Sequence, residues 1–226
     1  MNWNKVTKHM SATEILKTTC REDWNAATQH AFTDALADGS LPAEKMIGYL
    51  QQDYLFVEEF VRLLASAIAH APSLKDAVPA AQFLGVISGP ENTYFLRSFE
   101  ALSATPHAPA AKETEAFLDI MKEARLSGRY EIMLSVLVVA EWVYLEWATP
   151  FEDQAERLPF WLGEWIILHS GAGFAGVVAY LRGQLDSAWE GLNSAQRAEV
   201  EAMFTKAVAY ERAFFDAAWA GFEVAK

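Results

Sequence analysis

Along most of the chain apolar residues recur every three to four positions, the spacing of helices with one buried face. No run of four to eight residues alternates as a strand would. Turn and proline signals divide the pattern. A first helix is expected over about 11–37, closed by Gly39. Ser40-Leu41-Pro42 opens a long second helix running to about His70, with proline in the first turn, where its missing N–H costs nothing. Further helices are expected at about 77–87, with Pro79 in its first turn, and at about 91–103, 109–126 and 129–148. Gly89-Pro90, Pro106 with Pro109, and Ser127-Gly128 separate them. Two more cover about 158–169 and 172–188, and Asn193-Ser-Ala-Gln196 reads as a capping box opening a last helix that reaches about 224. With no repeat and no linker rich in Gly, Ser or Pro, the 226 residues read as one all-α domain spanning 1–226.

Composition narrows the function classes. A chain that is 52% hydrophobic and 21% charged is not a disordered one. The 30 acidic and 18 basic residues leave a net charge of -12, which repels phosphate backbones and argues against a nucleic-acid partner. The single cysteine, Cys20, offers neither a disulfide nor a zinc-binding thiol cluster, so a cytoplasmic location is expected. Met1 to Lys17 is polar and lacks the apolar run of a signal peptide. The longest apolar stretch, Ile132 to Ala148, is short for a membrane span and carries Glu141 and Glu146, so no membrane partner is expected.

The informative residues break the amphipathic pattern. Glu141 has apolar or aromatic neighbours one turn back (Leu137, Val138) and one turn on (Tyr144, Leu145). A carboxylate there is desolvated, which raises its pKa and suits it to proton transfer; the alternative is a structural acid hydrogen-bonded in the core. Asp53 shares a face with Tyr49 and Phe56, and Glu211 precedes Phe214 and Phe215 by one turn. For these two the alternatives are an exposed acid or, for Glu211, an ion pair with Arg212 or Lys206. None of the five histidines belongs to an i,i+3 or i,i+4 pair or a Glu-x-x-His motif, which argues against a di-iron bundle. No phosphate loop and no Gly-x-Ser-x-Gly is present. Gly171-Ala-Gly173-Phe-Ala-Gly176 fits a dinucleotide pattern, but it follows a helix rather than a strand and reads as a glycine turn with a close helix crossing. Cys20 lies in a polar part of the first helix and reads as an idle or packing residue.

From His30 onward the chain resembles the TenA family, the thiaminase II-like aminopyrimidine aminohydrolases of thiamin salvage. The blocks that carry the likeness are His30-Ala-Phe, Asp38-Gly-Ser-Leu-Pro42 and Tyr49-Leu-Gln-Gln-Asp-Tyr-Leu-Phe56. It continues through Thr114 to Asp119, Gly128, Trp142 to Glu146, Trp165-Ile166 and Glu211 to Asp216. The resemblance implies a haem-oxygenase-like helical bundle, a homotetramer, and a pocket for a small-molecule pyrimidine, a thiamin breakdown product. It implies that Asp53 grips the ring nitrogen and amine, that Glu211 transfers protons and that Tyr144 lines the pocket.

The departures point to a cysteine-independent variant. Counting from Gly128 to Trp142 places the family's nucleophilic cysteine at Ala140. Glu141 is the adjacent candidate to replace it, although neighbouring helix positions point roughly 100° apart, so a helix rotation or a different attack geometry is expected. Pocket tyrosines appear as Phe56, Phe117 and His169. Removing an amine needs an acid, a base for water and an apolar clamp. Asp53, Glu141 and Glu211 supply the carboxylates, and Phe56, Phe117, Trp142 and Tyr144 the walls. No cofactor and no metal is required. Two other readings remain: a non-catalytic pyrimidine-binding or regulatory protein, and a haem-binding oxygenase of the same fold with His30 or His169 as axial ligand.

Overall fold

The computed structural model describes residues 10–223, so the first nine residues and the expected end of the last helix at about 224 lie outside the described residues. Eleven α-helices follow one another, with no strand among the described residues. They are α1 (Ala12–Thr19), α2 (Arg21–Thr28), α3 (Ala31–Asp38), α4 (Ala43–His70), α5 (Leu74–Val86) and α6 (Asn92–Ala101). Then come α7 (Lys112–Leu126), α8 (Tyr130–Ala148), α9 (Phe160–Leu168), α10 (Gly171–Glu190) and α11 (Ser194–Ala220). A π-helical turn (Ile87–Glu91) joins α5 to α6, and a 3₁₀ segment (Thr149–Arg157) joins α8 to α9.

The core is built around α8. Every residue from Ile132 to Tyr144 is buried, because the sequence is apolar around the whole helix rather than along one stripe. Helices α4, α7, α10 and α11 close around it, and α2 packs against its side. The segment Tyr130–Arg157 is long and apolar enough to cross a membrane by composition, but 83% of its most apolar window is buried inside the bundle, the packing of a core helix.

Local chemistry explains where the observed elements depart from the expected ones. The helix expected over 11–37 is three helices of eight residues each. Thr18 and Cys20 turn their side chains back onto the carbonyls of Glu14 and Leu16, and Thr28 does the same to Trp24, which competes with the regular ladder at each break. His30 then restarts the chain by capping α3: its Nδ1 accepts from the Phe32 N–H at 3.0 Å while Nε2 meets Asp216 at 3.2 Å. Both ring nitrogens are engaged, so His30 is a capping residue and not an axial ligand. Cys20 is buried, and burial pushes its thiol up to about 11, which keeps it unreactive.

Helix α5 begins at Leu74, not 77, because Ser73 caps it by accepting from the Asp76 N–H; Pro79 therefore sits inside the helix. The break expected at Gly89-Pro90 is the π turn instead, so the chain continues in one wider coil. The capping box at Asn193 and Gln196 is present in full. Gly171 has a φ of +75° and starts α10, but nothing approaches within 4 Å of a Cβ built at Gly173 or Gly176, so the close crossing expected there is absent.

The close approach occurs at Gly163 instead. A Cβ there would lie 2.1 Å from the Ala155 carbonyl oxygen, so α9 can rest on the 3₁₀ segment only with glycine at this position. The contact fixes the helix that carries Trp165. Gly163→Ala should cost about 1–3 kcal/mol of stability, the usual range for overpacking. Urea unfolding is the check, and an unchanged midpoint would mean that the backbone yields freely.

Candidate active site

The Gln51-Gln52-Asp53-Tyr54 block on α4 divides its side chains between anchoring and the cavity. Gln51 donates to the Thr105 carbonyl at 2.8 Å. Gln52 donates to the Pro109 carbonyl at 2.9 Å and accepts from the Ala111 N–H at 2.9 Å and the Thr114 hydroxyl at 2.6 Å. Tyr54 donates to Asn92 Oδ1 at 3.0 Å, tying α4 to the start of α6. Asp53 has no such bond and lines an internal cavity.

That cavity is bounded by Asp53, Phe56, Val57 and Phe60 from α4, Ile87 and Glu91 from the π turn, Ala140, Glu141 and Tyr144 from α8, Trp165 from α9 and His169 at its end. Phe56, Val57 and Glu91 are half-buried and form its outward side; Asp53 and Glu141 are buried. Its free volume is about 30 Å³, room for little more than one water. Ligand sites usually offer ~300–1,000 Å³, so an organic ligand enters only as side chains move. Outside it lies a groove of about 610 Å³ that shares Val57 and Ile87 with the cavity wall.

Hydrogen-bond direction follows from the donors present. The Trp165 Nε1–H donates to the Tyr49 hydroxyl at 3.2 Å, and the Tyr49 and Tyr144 hydroxyls are 2.7 Å apart. When the Tyr49 O–H donates to the Tyr144 oxygen, the Tyr144 O–H is free to donate into the cavity. His169 Nδ1 lies 2.9 Å from the Trp165 carbonyl, which can only accept, so Nδ1 carries the proton and Nε2 is an acceptor. Burial lowers the His169 pKa to about 4, so the ring is neutral.

The acids carry the strongest perturbation. Burial raises Asp53, Glu141 and Glu211 well above the usual carboxylate range; the field of Glu91 adds to it at Asp53, those of Glu91 and Asp53 at Glu141, and those of Asp53 and Glu141 at Glu211. Glu91 itself is pushed up to about 8 by desolvation. Among the described residues no basic side chain pairs with any of the four. The partners considered for Glu211 are engaged elsewhere: Arg212 with Asp23 at 2.7 Å and Lys206 with Glu123 at 3.0 Å.

The structure brings together Asp53, Phe56, Glu141, Tyr144 and His169. Glu211 does not line the cavity; it is buried on α11 with Oε1 unpartnered, close enough to feel the charges of Asp53 and Glu141. Phe117 stands behind the wall, edge-on to Phe56 with ring centroids 4.9 Å apart. Trp142 lies elsewhere: it meets Trp24 at 4.8 Å and has the Arg182 guanidinium over its ring at 3.6 Å. Ala140 and Glu141 both line the cavity, so Glu141 reaches it without the expected helix rotation. Sequence reasoning missed Glu91 and Trp165 as lining residues. Glu91 follows a Gly-Pro pair that signals a turn, and its inward placement depends on the π geometry that replaces that turn.

The raised Glu91 has a consequence for stability. Its carboxyl is protonated more readily in the folded protein (about 8) than at its ordinary value of 4.5. The stabilisation it provides is complete below pH 4.5 and is lost as pH rises through about 8. The urea midpoint of the unliganded protein should therefore fall less over this interval for Glu91→Gln than for the wild type. Equal slopes would show that the group titrates normally.

With this geometry in place, comparison with known proteins adds context. The aminopyrimidine aminohydrolase of Halalkalibacterium halodurans is 28% identical over 190 residues, covering 80% of this chain and 83% of that protein. The solved structure of a TenA homologue from P. horikoshii superposes with a TM-score of 0.81 at 21% identity, covering 94% of this chain and 100% of that one. A TenA family transcription regulator from Silicibacter sp. gives 0.79 at 25% identity, covering 92% and 96%. The shared architecture is the all-α, haem-oxygenase-like bundle. Residues 18–221 match the TENA/THI-4/PQQC family, and the chain belongs to it.

Proposed function

We propose that the protein is a hydrolase of thiamin salvage, an aminopyrimidine aminohydrolase that removes an amine-type group from an aminomethyl- or formylaminomethyl-pyrimidine without a cysteine nucleophile. The observation that carries this reading is the cavity itself: Asp53, Glu91 and Glu141 face one aromatic-walled space with no basic partner among the described residues. A relative 28% identical over 80% of the chain is an aminopyrimidine aminohydrolase, which supports the same reading. We place the protein in the cytoplasm on the strength of its single cysteine.

The reaction exchanges a C–N bond for a C–O bond: water supplies the hydroxyl, and the amine leaves with an added proton. Asp53 holds the ring nitrogen and exocyclic amine by charged hydrogen bonds. Phe56 and Trp165 flank the ring, and the Tyr144 hydroxyl donates to the ligand. Glu141 and Glu211 carry the proton transfers in place of the cysteine absent at Ala140. Carboxyls raised by burial suit this task, because a protonated one can donate to the leaving amine while an ionised neighbour accepts from water. The cavity opens around the ligand on its half-buried side, at Phe56, Val57 and Glu91. The second reading, a non-catalytic pyrimidine binder, is favoured by the alanine at position 140 and is distinguished by binding without turnover.

Three outcomes are expected. Asp53→Asn should weaken pyrimidine binding about tenfold or more with the fold intact, since a charged hydrogen bond is worth roughly 1.5–3 kcal/mol; calorimetry showing unchanged affinity would reject its role. Glu141→Gln and Glu211→Gln should each lower turnover by about 10²–10⁴ with little change in affinity. Normal turnover in Glu141→Gln alone would make Glu141 a structural acid, and normal turnover in both would sink the two-glutamate mechanism. We also propose a homotetramer; sedimentation showing only a 25.2 kDa species at micromolar concentration would refute it.

A further inference from the structure

We propose that Glu91 is a specificity-determining residue of this cavity, binding a protonated primary amine on the ligand's arm and so selecting cationic arms over neutral isosteres. The inference rests on the aminopyrimidine reading above and adds to it a residue whose placement comes from the fold.

Position is the first argument. Of the three carboxylates lining the cavity, Asp53 and Glu141 are buried, whereas Glu91 is half-buried on the outward side with Phe56 and Val57. The outer groove shares Val57 and Ile87 with the cavity, and Ile87 opens the same π turn that Glu91 closes. A ligand whose ring reaches Asp53 from the groove passes Glu91, and its arm stays within that residue's reach.

Backbone geometry is the second. A π turn widens the helix by one residue and re-aims the side chains that follow it, a device frequent at functional sites. Here it is held by local bonds: Ser88 donates to the Leu84 carbonyl at 2.7 Å, Thr93 to the Gly89 carbonyl at 2.9 Å, and Tyr54 to Asn92, the residue after Glu91, at 3.0 Å. The turn is anchored on both sides of Glu91, so the backbone that carries the carboxylate is fixed beside the cavity.

Charge is the third. Glu59, on the same helix as Asp53, is as buried as Glu141, but it is met by Arg125 at 2.8 Å and Arg62 at 3.1 Å. The cavity acids have no such partner, and Asp53 and Glu141 are more than nine-tenths buried with no hydrogen-bond partner among the described residues. Glu91 is largely protonated at neutral pH in the unliganded cavity; a protonated amine entering this space draws it into the ionised form and becomes its counter-ion, while a hydroxyl of the same size does not.

The test compares two ligands that differ only in the arm: a 4-aminopyrimidine bearing an aminomethyl group and its hydroxymethyl isostere. Affinities are measured by calorimetry at neutral pH for the wild type, Glu91→Gln and Glu91→Asp, with thermal melts to confirm folding. The wild type should prefer the aminomethyl ligand. Glu91→Gln should lose about tenfold for that ligand, as expected for a charge-assisted hydrogen bond, and change little for the hydroxymethyl one. Glu91→Asp, which keeps the charge, should recover part of the preference. Equal losses for both ligands, or no loss for either, would overturn the proposal while leaving the aminopyrimidine reading intact. A wild type that binds neither ligand would overturn that reading and this inference with it.

Discussion

A helix that is apolar on every side must be enclosed on every side, and α8 imposes that requirement on the whole bundle. Its residues from Ile132 to Tyr144 leave no solvated face, so α4, α7, α10 and α11 wrap it and the remaining elements brace them. Hydrophobic burial at roughly 25 cal/mol per Å² drives this enclosure. It also carries Glu141 into the interior, where a carboxylate is otherwise unwelcome. The core and the chemistry of the cavity thus share one cause.

Burial alone does not mark an acid as functional, and this protein contains its own controls. Glu59 is buried and answered by two arginines. Glu146, partly exposed on α8 itself, accepts the Trp24 indole N–H at 2.7 Å and pairs with Lys17. Asp53, Glu141 and Glu211 have no such partners among the described residues, so their burial is expressed as raised pKa values instead of ion pairs. Leaving buried charge unanswered costs stability, and proteins retain such groups where the perturbed state has a use.

The small free volume of the cavity belongs to the same balance. Its aromatic lining packs closely: Trp165 and His169 lie 4.2 Å apart, and Tyr144 and His169 4.8 Å, between ring centroids. Tight packing stabilises the unliganded bundle, and opening it falls to the side where Phe56, Val57 and Glu91 already meet solvent. The inner wall, by contrast, is fixed by the Trp165–Tyr49–Tyr144 hydrogen bonds and by the contact of Gly163 with Ala155.

The sequence by itself determined the helical class, most helix positions, the Asn193 cap and the abnormality of Glu141, because periodicity, capping and an acid in an apolar run are local signals. It also made Asp53 recognisable, through the block whose neighbours proved to be anchors. Tertiary structure decided the rest. The single helix expected over about 11–37 broke into three short ones because threonine, cysteine and histidine side chains competed for backbone groups, a contest that periodicity does not register. Trp142 and Tyr144 are two positions apart in sequence, yet they face Arg182 and the cavity respectively, since each side of α8 meets a different helix. Glu59 and Glu141 are equally buried; Arg62, one turn on, already marks Glu59 within its own helix, but the second partner, Arg125, arrives from α7. Glu91 became a lining residue when a Gly-Pro signal folded into a π turn rather than a break. Which partner a buried charge meets depends on elements distant in the chain, and that is information that no local pattern holds.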